Sequence, residues 1–476
     1  MTRQIRRLGL VAALMVFALL ANLTYFGLVE TPNLEAMSTN LRARQAEFDV
    51  NRGQILAGDT VIAESVPASD DSVFAYQRDY PDGPLYAPVT GFYSYIYGSS
   101  RVEHSSNDYL AAANSAQWLA KFMDSLTGRT AQGASVITTI DPVLQQAAWD
   151  ALGGYTGAVV AMDPHTGALK AVVSTPSWDP NLLATHDLGA QQDAWTSLTT
   201  DPAEPMSDRA TREIYPPGST FKLVVAAAAL DAGYTPDTLI DTPSSLPLPN
   251  SSATLTNSSN CGDGQVTLAF ALEWSCNTAF ANLGAALGAD ALRAAADKFG
   301  FDSPVLPELG GATSRFPDKL DPAELMMSAI GQYDVAASPL QMAMVTSAIA
   351  NNGQLATPYL VEEVRSPDLA LLYQHRVSTS QALTAPSAAA LQQMMISVVA
   401  NGTGTPAKIP GVTIGGKTGT AQSDPSRPNY AWFTAFAQDP DLVVTVFVQN
   451  VNAAGTDIAG GRIAGPIARA VIKASR

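Results

Sequence analysis

Residues 8–29 form a run of 22 positions without a charged side chain, directly after Arg3, Arg6 and Arg7. A helix needs about 20 apolar residues to cross a hydrocarbon core, and only Asn22, Thr24 and Gly27 weaken this run. The basic cluster precedes the run and Glu30 and Glu35 come after it, so the excess of positive charge on the cytoplasmic side predicts that the bulk of the chain lies outside the cytoplasm. A cleaved signal peptide is the alternative. Its apolar region is usually about 7–15 residues and ends at a small-residue cleavage site, whereas Leu28-Val29-Glu30 is a poor site. The expectation is a cytoplasmic tail at 1–7 and one uncleaved transmembrane anchor at 8–29.

Beyond the anchor the chain must fold as a globular unit. It has 476 residues, 46% hydrophobic and 15% charged, against roughly 25% charged in ordinary soluble domains. Its length argues for more than one domain. A net charge of −16 disfavours a nucleic-acid partner, which would draw on basic clusters. Two cysteines exclude a disulfide scaffold and a four-cysteine zinc site. His104, His165, His186 and His375 show no metal-ligand spacing, so neither metal nor cofactor is expected.

A change at the β-branched run Val136-Ile137-Thr138-Thr139-Ile140 divides a small N-terminal region, 30–135, from a larger one, 136–476. In the first, residues 49–63 read as short strands around turns at Arg52-Gly53 and Gly58-Asp59, with another turn at Tyr80-Pro81-Asp82-Gly83-Pro84. Phe92, Tyr93, Tyr95 and Tyr97 read as a packing patch and residues 107–126 as an amphipathic helix. In the second, a β-branched strand ends at Asp141-Pro142, where proline can open a helix over 143–152. Strands 158–162 and 168–173 flank the hairpin signature Asp163-Pro164-His165-Thr166-Gly167. Helical stretches at 219–233 and 267–287 come next, with an exposed loop at 244–260 between them, then strands at 432–437 and 442–448 and a last helix at 464–474. Strands at both ends with helices between predict an α+β fold, a five-stranded antiparallel sheet with a helical lobe against it.

Three short motifs carry the chemistry. In Ser219-Thr220-Phe221-Lys222, introduced by Tyr215-Pro216-Pro217-Gly218, the prolines and glycine force a turn into an apolar helix that Gly233 ends. Ser219 then sits at the helix N-terminus with Lys222 one turn later on the same face. A serine hydroxyl is a weak nucleophile, and an amine can deprotonate it if burial and nearby cations lower its pKa. Read alone, the pair is equally a helix-cap serine and a solvated lysine, but of eight lysines only Lys222 has a serine three residues before it. Ser275-Cys276-Asn277 places a hydroxyl and a carboxamide two residues apart. In Lys417-Thr418-Gly419-Thr420, Thr418 and Thr420 share one strand face, suited to a carboxylate, and Lys417 takes the opposite alternation, towards Ser275. Gly402-Thr403-Gly404-Thr405 reads as a glycine-rich turn and not a phosphate loop, since no lysine comes after it at the required spacing. Trp432 and Phe433 read as core beside Lys417, and Glu308, Glu324 and Asp334 as surface or capping carboxylates.

In this order the motifs match S-x-x-K, S-D-N and K-T-G, the signature of class A β-lactamases and penicillin-binding proteins, with Cys276 in place of the central Asp. With Asn51-Arg52-Gly53-Gln54-Ile55, residues 85–91, Thr139-Ile140-Asp141-Pro142, Gly331-Gln332 and residues 414–422, nearly the whole chain resembles a class B penicillin-binding protein, most like the actinobacterial penicillin-binding protein A group. The resemblance implies the penicillin-binding, serine β-lactamase-like transpeptidase fold at 136–476, with 30–135 as a pedestal or dimerisation-like domain. It implies a D,D-transpeptidase that cross-links peptidoglycan stem peptides and is trapped by β-lactams. Carried over residue by residue, Ser219 is the nucleophile, Lys222 its base, Ser275 and Lys417 a proton shuttle, and Asn277 a donor-peptide contact. Thr418, Gly419 and Thr420 become substrate-binding, the N–H groups of Ser219 and Thr420 an oxyanion hole, and a membrane-embedded glycan polymerase the partner.

Fourteen residues lie between Cys261 and Cys276. In an oxidising compartment they are expected to pair and restrain the Ser275–Asn277 segment; two buried free thiols are the alternative. Other functions remain. A class A β-lactamase uses an extra glutamate, and no Glu-x-x-Leu-Asn occurs between Asn277 and Lys417. A D,D-carboxypeptidase differs only in its acceptor, water. A β-lactam sensor or divisome scaffold is the non-catalytic alternative, but a sensor needs an output module and about seven residues precede the anchor.

Overall fold

The computed structural model describes residues 2–26, 48–69, 72–114, 132–421, 429–449 and 460–476. Helix α1, Thr2–Tyr25, is long and apolar enough to cross a membrane. Thr24, one of its polar interruptions, donates its hydroxyl to Leu20 O at 2.8 Å, so its polar atom is satisfied within the helix. Residues 27–29 of the expected anchor lie outside the described residues.

Strands β1 (Ile55–Ala57), β2 (Thr60–Pro67) and β3 (Tyr76–Asp79) form a meander at one side of a six-stranded sheet. The expected turn at Gly58-Asp59 joins β1 and β2. The expected turn at Arg52-Gly53 is not formed, and a Cβ on Gly53 would stand 1.9 Å from Ala134 O. Glycine permits close backbone approach at this point, not a reversal. Next to β1 runs β4 (Ser135–Thr138), parallel to it. On its other side β4 pairs with β5, residues Val361–Arg365, which hairpins into β6, Leu371–Gln374. Residues far along the chain thus complete the N-terminal sheet, and the expected division at 135/136 falls inside this shared sheet.

The N-terminal region is organised around a buried acid. Glu103 is fully buried and takes Arg52 Nε at 2.7 Å and Arg78 Nε at 2.6 Å. Tyr80 donates to the same carboxylate at 3.2 Å and Arg52 also reaches Asn107 Oδ1 at 2.7 Å. Burial alone would raise the Glu103 carboxyl, but Arg78 and Arg52 hold it below the usual range. Tyr93 and Tyr95 pack with Phe48 and Phe74, while Tyr97 stacks on Trp195 at 4.2 Å. The helix expected over 107–126 ends early: α2 covers Asn107–Leu110, and Ala112 has φ +53°, which L side chains adopt reluctantly. Residues 115–126 lie outside the described residues.

The second sheet has five antiparallel strands. β7 (Gly157–Met162) and β8 (Leu169–Thr175) flank the Asp163–Gly167 turn. They continue through β11 (Leu442–Val448) and β10 (Tyr430–Gln438) to the edge strand β9 (Thr413–Ala421). First and last segments therefore meet in one sheet, as expected. One face packs on helix α3 (Pro142–Leu152) and the C-terminal helix α9, Gly460–Ala474; the other packs on the helical lobe. In that lobe α4 (Lys222–Asp231), α5 (Leu268–Glu273), α6 (Asn277–Leu287), α7 (Pro339–Ala350) and α8 (Ala385–Ala400) share one core. The stretch 267–287 is therefore two helices, not one. The 244–260 segment carries a small exposed ribbon, Ser245–Pro247 against Thr254–Thr256. Glu324 completes a capping box with Asp321, and Asp334 pairs with Arg315 at the surface.

Replacing Glu103 by Gln strands two buried guanidiniums, a loss of about 3–5 kcal/mol. Because the Glu103 carboxyl is depressed, its contribution is complete above about pH 4.3 and fades as pH falls through its lower folded value. Urea unfolding of the full chain in detergent should show a large drop for Glu103→Gln at pH 7 that shrinks at strongly acidic pH. Equal midpoints at pH 7 would contradict this account.

Candidate active site

Four segments converge at the edge of the five-stranded sheet. The first is the turn before α4. Gly218 has φ +53°, residues Gly218–Thr220 form a single 3-10 turn, and Thr220 Oγ1 donates to Pro217 O at 2.7 Å. Gly218 N donates to Gly331 O at 2.9 Å, which gives the Gly331-Gln332 segment a structural job, supporting this turn from behind. A Cβ on Gly218 would stand 2.7 Å from Thr420 O, so β9 lies directly beside Ser219. Phe221 is buried against Phe301 and Phe316. Ser219 itself is half-buried, and its hydroxyl has no hydrogen-bond partner among the described residues.

The second segment is the break between α5 and α6. Ser275 adopts φ +59°, a left-handed conformation that costs a non-glycine residue roughly 1–3 kcal/mol and persists only where the surroundings impose it. Cys276 N bonds Ala271 O at 2.8 Å. A disulfide joins Cys276 to Cys261 with both residues buried. Sequence periodicity carries no sign of this kink, because the flanking helices are both apolar.

The third segment is β9. Lys417 and Gly419 face the lobe, where a Cβ on Gly419 would meet Pro217 O and Thr220 Cγ2 at 3.0 Å. Thr418 and Thr420 share the opposite face, paired with Phe433 and Ala431 of β10. There Thr418 Oγ1 lies 2.7 Å from Thr403 Oγ1, and Thr420 Oγ1 accepts from Gly460 N at 3.4 Å. Trp432 and Phe433 are both fully buried. The fourth segment is therefore the Gly402–Thr405 turn, for which sequence patterning offered no role.

The side chains meet at Ser275. Lys222 is 0% exposed, and its Nζ donates to Ser275 O at 2.8 Å, Ser275 Oγ at 3.3 Å and Asn277 Oδ1 at 2.7 Å. Lys417 is also 0% exposed, and its Nζ donates to Ser275 Oγ at 2.8 Å and Thr418 O at 2.9 Å. Asn277 Nδ2 is held by Thr256 O at 3.0 Å. Among the described residues no carboxylate pairs with either lysine. Burial pushes the Lys417 amine down to about 7. Burial, and then the charge of Lys417, push the Lys222 amine well below its ordinary value. The arrangement suits an uncharged amine one turn from an open hydroxyl, the requirement of a serine nucleophile without histidine. No group of His, Cys, Asp and Glu among the described residues is arranged to hold a metal.

Residues 157–473 match the family model of the penicillin-binding protein transpeptidase domain, and residues 52–136 that of the penicillin-binding protein A dimerisation domain. The chain belongs to the penicillin-binding protein transpeptidases. Among its relatives, the peptidoglycan D,D-transpeptidase PbpA of Mycolicibacterium smegmatis is 43% identical over 490 residues, covering 100% of this chain and 99% of the relative. Its Mycobacterium tuberculosis counterpart is 42% identical with the same coverage. The solved structure of M. tuberculosis penicillin-binding protein A as a ceftriaxone acyl-enzyme superposes with a TM-score of 0.86 at 42% identity, covering 90% of this chain and 99% of that one. Its penicillin G acyl-enzyme gives 0.85 at 43% identity with the same coverage. The penicillin-binding fold, with its N-terminal domain, is thus shared along nearly the whole described chain.

A lysine depressed in the folded state binds fewer protons than its unfolded counterpart between the two pKa values, so stability rises with pH there. Between pH 7 and about 10, Lys417 should contribute a slope approaching ~1.4 kcal/mol per pH unit. Urea midpoints measured from pH 7.5 to 9.5 should climb less steeply in Lys417→Met than in the unsubstituted chain; identical slopes would remove the depressed pKa.

Proposed function

We propose that this chain is a membrane-anchored peptidoglycan D,D-transpeptidase acting in cell-wall synthesis through a Ser219 acyl-enzyme. The observation that carries the reading is the pair of buried lysines, unpaired with any carboxylate among the described residues and meeting on Ser275, one turn from an open serine. Neutral Lys222 takes the Ser219 proton as Oγ bonds the carbonyl carbon of the penultimate D-Ala of a stem peptide. Developing negative charge on the carbonyl oxygen is met by the N–H groups of Ser219 and Thr420, a contribution typically worth several kcal/mol. The C–N bond then breaks, and the proton passes through Ser275 and Lys417 to the departing D-Ala amine. Asn277 orients the donor stem, with Thr418, Gly419 and Thr420 lining its path along the edge strand β9. The amine of a second stem attacks the ester, forms the cross-link and returns the proton to Ser219. A β-lactam presents a similar acyl bond, and its opened ring stays on Ser219.

The remaining organisation accords with the same reading. Arg3, Arg6 and Arg7 at the start of α1, ahead of its uncharged run, favour a cytoplasmic N-terminus and an extracytoplasmic catalytic region, and the Cys261–Cys276 disulfide fits that compartment. Residues 1–7 are then the tail, 8–29 the anchor, 30–135 the pedestal and 136–476 the transpeptidase domain. The pedestal, next to the anchor in the chain, is the surface we assign to contact with a membrane-embedded glycan polymerase.

Fluorescent penicillin should label the full chain in detergent and leave Ser219→Ala unlabelled; equal labelling would remove the nucleophile. Lys222→Ala should acylate about 10²–10⁴-fold more slowly. Acylation should decline as pH falls through the Lys222 titration. In Lys417→Ala, which deletes a neighbouring positive charge, that acid limb should move to higher pH. A shift to lower pH would contradict the electrostatic role given to Lys417.

A further inference from the structure

The hydrogen bond from Lys417 Nζ to Ser275 Oγ joins two segments 142 residues apart, one on the sheet edge and one on the lobe. Something must fix their separation, since a 1 Å misplacement of reacting groups can cost 10²-fold in rate. Residues 397–404 touch both. On the lobe side, Thr403 N donates to Glu273 O at 3.3 Å, and Ser397 Oγ donates to the Glu273 carboxylate. Glu273 is the last residue of α5, two before Ser275. A Cβ on Gly402 would stand 2.4 Å from Glu273 O, so the contact is backbone on backbone. On the sheet side, Thr403 Oγ1 shares a hydrogen bond of 2.7 Å with Thr418 Oγ1, next to Lys417. Thr403 O in turn packs against the start of α9, 2.3 Å from where a Cβ on Gly461 would lie. The turn itself is anchored, because Gly402 N and Gly404 N both donate to Val398 O in the last turn of α8, at 3.1 and 3.0 Å. Such bonds satisfy the open carbonyls of a helix end and fix the chain leaving it.

We propose that Thr403 is a positioning residue for acylation, a strut that holds the Ser275 turn and the Lys417–Thr420 strand at working distance. The inference rests on the transpeptidase reading above. Its side chain touches no reacting atom; it acts through Thr418 on one side and through its own backbone on Glu273 on the other. A valine at 403 keeps the volume and branching but deletes the hydroxyl, whereas serine keeps the hydroxyl and deletes a methyl. The two variants therefore separate the hydrogen bond from packing.

The test is the acylation rate of the full chain in detergent with fluorescent penicillin, recorded with final labelling stoichiometry and melting temperature. Thr403→Val should acylate about tenfold more slowly while reaching full stoichiometry, and Thr403→Ser should stay within about twofold of the unsubstituted rate. A misfolded fraction would lower stoichiometry and leave the rate of the remainder unchanged. Because the bond is mutual, Thr403→Val combined with Thr418→Val should be no slower than the slower single variant. An unaltered rate in Thr403→Val, a serine variant as slow as the valine one, multiplying losses in the double variant, or a loss confined to stoichiometry would each overturn the inference. If the unsubstituted chain took no label, the transpeptidase reading beneath it would fall instead.

Discussion

Two ammonium-bearing side chains buried within reach of one hydroxyl, with no acid among the described residues to compensate them, are the constraint around which the catalytic half is built. Isolated charge is expensive in a protein interior, and a buried lysine relieves the cost by releasing its proton. The fold sustains this by surrounding both amines with neutral acceptors: two backbone carbonyls, a serine hydroxyl and a carboxamide. Those acceptors satisfy N–H donors without offering a countercharge that would restore the ordinary pKa. Substituting a carboxylate for Asn277 would make a more conventional ion pair and a worse base.

The N-terminal half solves the opposite problem with the opposite chemistry. Glu103 is just as buried as the two lysines, yet two arginines and a tyrosine meet it. There two guanidiniums flank one carboxylate, the carboxyl stays ionised, and three separate segments are pinned together. One molecule therefore uses paired charge where it needs a fixed joint and unpaired charge where it needs reactivity. The arginines hold the Glu103 carboxyl below its usual range, while burial pushes both lysine amines down from theirs.

Much of this was legible in the sequence for identifiable reasons. The uncharged run, the Asp163–Gly167 hairpin and the apolar terminal strands are local signals, and they place α1 and the five-stranded sheet. The lysine and serine motifs were readable because their spacing is itself the geometry, one turn from the 3-10 segment into α4 and strand alternation in β9. What escaped depends on partners distant in the chain. Strands at 361–374 look isolated until β4 is beside them. Gly53 resembles a turn residue but serves close approach to Ala134. The left-handed Ser275 has no compositional mark, being neither glycine nor asparagine. Thr403 sat in a segment whose glycines suggested only a bend, and its meaning lies in Thr418 and Glu273, fifteen residues ahead and far behind.

Strand β4 is flanked by β1 on one side and β5 on the other, so the six-stranded sheet is a splice between halves of the chain. A joint of this kind has no swivel. Torque applied near the membrane end would travel into the catalytic half across ladders of backbone hydrogen bonds, and the two halves would turn together like a key and its bow. Exchanging either half for that of a relative would therefore require carrying residues 361–374 along with the N-terminal segment, or the lock would be cut with half its teeth.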